Sequence, residues 1–124
     1  MATDIRVIHA SEFLKATPEG PLDVTLAKRL LVQIPSAAGP ASTFEVLVDT
    51  RRTQSDMSAA DLWNVAAELG RLRSVFSRKT AVLCPLEHFD RAAFMAFCAR
   101  ERGLRVKAFT SYEDAFEWLF TEGA

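Results

Sequence analysis

Cysteine and histidine are scarce: the 124 residues include two of each. Disulfide-dependent scaffolds carry more cysteines, and Cys84 and Cys98 lie in the apolar runs AVLCP and MAFCAR. Reduced, buried thiols are therefore expected. A zinc site or a cysteine nucleophile needs partners at suitable spacing, and only His9 and His88 are on offer. No metal or other cofactor is expected.

An excess of one charge is missing too. Fifteen basic residues stand against 16 acidic ones, for a formal net charge of -1. That balance argues against nucleic acid as the partner and against a dense anionic-membrane anchor. The amino terminus MATDIRVIHA lacks the apolar core of a signal peptide, and no apolar run approaches a membrane span. A cytoplasmic protein is expected. Catalytic fingerprints are missing as well: the chain has no GxSxG elbow, P-loop or GxGxxG stretch. Ser58, His88 and Asp49 can be lined up across two loops on paper, but no spacing holds a base against a nucleophile. A noncatalytic protein is the expectation.

What remains is ordinary globular material, 49% apolar and 25% charged, long enough for one domain spanning residues 1–124. Residues 4–9 (DIRVIH) and 12–17 (EFLKAT) read as two short strands, antiparallel through a tight turn near Ala10 and Ser11. PEGP then breaks regular structure. From Asp23 the period changes: Leu22, Leu26, Ala27, Leu30, Leu31 and Ile34 form a helical stripe, capped by Asp23 and ended by Pro35. Residues 36–43 read as a linker.

FEVLV (44–48) and KTAVLCP (79–85) are nearly continuous apolar runs, as in strands buried on both faces. Helices are predicted over 58–73, with Leu62, Val65, Ala66, Leu69 and Leu72 inward, and over 89–102, with Phe94, Phe97 and Cys98 on one face. Gly103 sits just past the second. RVKAF (105–109) is a strand, and Thr110 with Glu113 has the spacing of a capping box opening a last helix to Phe120. On that helix Tyr112, Ala115, Phe116 and Leu119 form the expected inner stripe. The order ββαβαβαβα predicts an α/β fold with a mixed, mostly parallel sheet.

EVLVDTR (45–51), KTAVLCPLEHFDRAAFMAF (79–97) and RVKAFTSYEDAFEWL (105–119) together resemble the SpoIIAA-like family, with its STAS-like fold. The resemblance runs from residue 5 to 120 and has two implications. STAS-type anti-sigma-factor antagonists bind a partner kinase and are switched by phosphorylation of a serine in a D-S-S-G-like pattern. The matching stretch here is DMSAA, with Asp56 and Ser58 at the first and third positions, Met57 in place of the first serine and Ala59 in place of the glycine. Other SpoIIAA-like proteins are compared with Sec14-type lipid carriers, which implies an apolar ligand or contact with a membrane surface.

The candidate residues carry two readings each. Ser58 is a phosphoacceptor, or the N-cap of its helix with Asp61 three residues on. Asp49, Arg51 and Arg52, with Asp56 and His88, form a partner or anion contact at the carboxyl ends of parallel strands. Alternatively Asp49 accepts amides of its own turn while the arginines point into water. Trp63, Met95, Trp118 and Phe120 line an apolar ligand site or contact surface, or they are core packing. The expected function is a noncatalytic STAS-like regulatory module that binds a protein partner or itself. The alternative is binding of a lipid or other apolar small ligand, with peripheral membrane association.

Overall fold

A computed structural model of the chain describes residues 4–9, 13–38 and 44–121. Along these residues run β1 (Asp4–His9), β2 (Phe13–Pro21), α1 (Val24–Ala38), β3 (Glu45–Asp49), β4 (Thr53–Gln54), α2 (Ala59–Arg71), β5 (Lys79–Leu83), α3 (Phe89–Arg100), β6 (Arg105–Phe109) and α4 (Tyr112–Leu119). A 3-10 turn over Leu86–His88 leads into α3. The sheet order is β1-β2-β3-β5-β6. β1 lies antiparallel to β2, with Asp4 opposite Glu19 and His9 opposite Leu14. The remaining pairs in this order are parallel, as helical crossovers between buried apolar strands require.

Alternation along the strands divides the core in two. Leu14, Val46, Val82 and Val106 face one way and pack with Leu30 and Ile34 of α1, Leu69 of α2, and Ala96 and Ala99 of α3. Leu47, Ala81 and Leu83 face the other way and pack with Ala115 and Leu119 of α4. Cys84 and Cys98 are free and buried. Asp23 caps α1, its Oδ1 accepting from Leu26 N at 2.8 Å.

Several details depart from the expected pattern. β2 does not stop before PEGP but continues to Pro21. Pro18 falls between the last pairing with β3, at Ala16, and the first with β4, at Gly20, so no ladder donor is required of it on that side. Gly20 adopts a φ of 93° there, which glycine tolerates without steric cost. β4 itself was not expected. Pro35 does not end α1, which runs on to Ala38 and so takes in the start of the expected linker. Pro35 forgoes its own backbone bond, but Ile34 beside it is buried in the core, and Ser36 Oγ donates to Val32 O at 3.0 Å. The turn at Ala10 and Ser11 and the rest of the linker lie outside the described residues.

Two faces also shift. α3 turns its small residues Ala96, Cys98 and Ala99 inward, leaving Phe94 and Phe97 39% and 53% exposed. Small side chains permit the close approach that aromatic ones would block. The cap of α4 is Ser111, whose Oγ accepts from Asp114 N at 3.4 Å, in place of the expected Thr110–Glu113 box. The same spacing of hydroxyl and acid occurs one residue later, and that frame is the one used. Phe116, expected on the inner stripe of α4, is also part-exposed and stacks on Tyr112.

Candidate functional site

The charged stretch after β3 is a tied turn. Asp49 is buried at the strand end. Its Oδ1 accepts from Arg51 N at 3.1 Å and Arg51 Nε at 3.0 Å, and its Oδ2 from Arg51 Nη2 at 2.9 Å. Burial alone would push the Asp49 carboxyl up. The hydrogen bonds and charge of Arg51, with Lys15 adding, outweigh it and hold the carboxyl below the usual carboxylate value. Thr50 N and Oγ1 both donate to Leu83 O, and Thr53 Oγ1 donates to Thr50 O at 2.7 Å. Gly20 N donates to Arg52 O and Leu22 N to Gln54 O, closing the β2–β4 pair.

Asp49 therefore does take the amide of its own turn. Arg51 folds back onto it rather than pointing free into water, while Arg52 is more exposed and pairs with Glu19 at 3.0 Å. Asp56 is exposed, and Met57 beside it is buried among Ala27, Leu62 and Val65. Ser58 caps α2 in a complete capping box: Asp61 N donates to Ser58 Oγ at 3.1 Å and Ser58 N to Asp61 Oδ2 at 3.1 Å. The residue is nonetheless exposed, so the cap leaves its hydroxyl within reach of solvent. Ser58, His88 and Asp49 are not joined. Asp49 is engaged by Arg51 and Ser58 by Asp61, and no hydrogen bond among the described residues runs from either to His88.

On the face covered by α1, α2 and α3 lies a cavity of about 130 Å³. Its walls are almost wholly apolar: Leu30, Ile34, Leu69, Phe76, Val82 and Val106 are among them. Most of its polar residues come from the turn and the start of α3, Thr50, Thr53, Ser55, His88 and Arg91, with Thr80 of β5 besides. Arg91 Nη1 donates to Ser55 O at 2.6 Å, tying α3 to the turn. Cys84 also lines the cavity, and burial pushes its thiol pKa up, with Glu87 adding. This leaves the thiol protonated and a poor nucleophile.

The four apolar candidates do not form one surface. Met95 alone lines the cavity. Trp63 is 50% exposed on α2, with the Arg102 guanidinium 4.7 Å from its ring centroid. Trp118 packs on Phe109 at 5.6 Å, with Lys79 Nζ over its ring. Phe120 sits 4.7 Å from Phe116 and 5.8 Å from Phe13, beyond the end of α4. His88 was expected at the strand-end rim and also lines the cavity. Arg91 carries no signal in the sequence, and Thr53 and Ser55 only that of a charged loop, because their meeting depends on how the turn folds back on β2. No group of three or more metal-ligating side chains occurs among the described residues, and none of their helices is long and apolar enough to cross a membrane.

No family model and no curated protein matches the chain. Solved structures are similar in fold. One is an uncharacterised protein of the DUF3478 family with a SpoIIAA-like fold from Shewanella loihica, with 18% identity and a TM-score of 0.61 over 94% of this chain and 93% of that one. Another is an anti-sigma factor antagonist from Mycobacterium paratuberculosis, with 11% identity and a TM-score of 0.62 over 97% and 96%. The mixed sheet, with three helices on one face and α4 on the other, is thus a SpoIIAA-like, STAS-type fold.

Proposed function

We propose that the chain is a noncatalytic regulatory module that acts by contact with a protein partner, a second copy of itself included. The contact surface is the turn from Arg51 to Ser58 with the outer side of α2, where Trp63 stands exposed. The observation that carries this reading is the tying of a charged, exposed segment by backbone pairing to β2 and by the Asp49–Arg51 pair. Such a segment presents side chains without a large ordering cost on binding. The fold shared with an anti-sigma factor antagonist supports the regulatory part. Phosphorylation of Ser58 would add charge at the start of α2 but beside Asp61, which now hydrogen-bonds its amide, so a phosphate would have to displace that carboxylate.

Affinity capture tests the surface. Partners recovered by the parent chain are expected to be lost with the paired variant Arg51→Ala, Arg52→Ala, and identical recovery overturns the assignment. Control by Ser58 predicts different binding for Ser58→Ala and Ser58→Asp, and equal binding removes it. A second reading, uptake of an apolar small molecule, is favoured by the cavity. Mass spectrometry of organic extracts from purified protein checks it, and liposome flotation checks the associated membrane contact.

A further inference from the structure

We propose that the cavity beneath α1, α2 and α3 binds a small carboxylate whose apolar body is the size of a benzene ring, with its charge held by Arg91. The inference rests on the apolar-ligand reading above and adds the class of molecule. The volume is about 130 Å³, and an apolar cavity near that size stays dry and accepts benzene. A body of six or so carbons fits that volume.

The polar end follows from the residues at the turn side. Among the described residues no aspartate or glutamate lines the cavity, and Arg91 is the one permanently charged lining residue. Arg91 spends Nη1 on Ser55 O and enters no ion pair among the described residues. Arg91 is exposed, so its remaining donors are open to a carboxylate at the solvent side of the lining, in the two-pronged geometry a guanidinium favours. His88, one turn before Arg91, adds a ring N–H donor on the same lining, whereas the Thr53 hydroxyl proton is already given to Thr50 O.

The test uses the full chain and two probes, benzoate and neutral benzyl alcohol, followed by amide chemical shifts in NMR titrations. Both are expected to shift amides of the cavity lining. Arg91→Ala is expected to weaken benzoate about tenfold, the scale of one charge-assisted hydrogen bond, and to leave benzyl alcohol nearly unchanged. That contrast separates loss of the charge from loosening of the turn. Ala92→Leu, which adds bulk to the wall, is expected to abolish both. If Arg91→Ala leaves benzoate unchanged while benzyl alcohol still binds, the carboxylate assignment falls and the apolar-ligand reading stands. If neither probe binds up to its solubility limit, both fall. If shifts map elsewhere, or a folded Ala92→Leu still binds, the cavity is not the site.

Discussion

Asp49→Asn isolates the charge of the buried carboxylate with little change of shape. The parent carboxylate receives one backbone and two side-chain donors from Arg51. The side-chain pair is open to water at the arginine end, where Arg51 is 47% exposed, so it stabilises by no more than about 1 kcal/mol. The backbone N–H to a charged acceptor contributes about 1 kcal/mol more, and asparagine can keep part of that with its own oxygen. At pH 7 the variant should therefore lose about 1 kcal/mol, or about 4 °C in Tm for a chain of this length. The sign of the pH dependence follows from the depressed carboxyl. Its contribution is complete above the unfolded aspartate value of about 3.9 and is lost as pH falls through the lower folded value. Urea unfolding of parent and variant at pH 7 and pH 3, followed by circular dichroism, is the assay. The gap should narrow at pH 3, and an equal gap at both would refute the electrostatic account of the turn.

Ser58→Ala removes half of the capping box and should cost about 1 kcal/mol in urea unfolding, whereas Ser58→Asp, also a good cap, should cost far less. Gly103→Ala introduces a Cβ that meets nothing within 4 Å, at a φ of +88°. Its cost of about 1–2 kcal/mol is purely conformational and should appear as a lower urea midpoint with an unchanged slope. Leu47 is fully buried in the sheet against α4; Leu47→Ala should cost about 3 kcal/mol, measured the same way.

The architecture was legible because two periods write it. Alternating or continuous apolar runs marked β1, β3, β5 and β6, and the three-and-four spacing marked all four helices. The errors fall where a local rule met a tertiary one. Proline and glycine ordinarily punctuate, yet Pro18 and Gly20 continue β2 because the turn after Asp49 folds back to pair with it. Pro35 is likewise overridden by the buried stripe of α1. The face of α3 was misread because size decided it: alanines fit the narrow gap to the sheet, and Phe94 and Phe97 were left outside. In the site, the Ser58 cap and the Asp49 turn bonds were readable from turn chemistry, since both partners lie within three residues.

The cavity was not readable, and the reason is general. Leu30, Leu69 and Val82 have the same spacing in a filled core as in a hollow one. A void is the difference between side-chain volume and the space that packed elements enclose, and that space is set by how α1, α2 and α3 sit on the sheet. An occupant that binds only the folded chain stabilises it by mass action. Occupancy should therefore register as a concentration-dependent rise in Tm. Thr53 and Ser55 line the cavity and belong to the turn that also carries Arg52, Asp56 and Ser58, so the amides of that turn should be among those an occupant shifts.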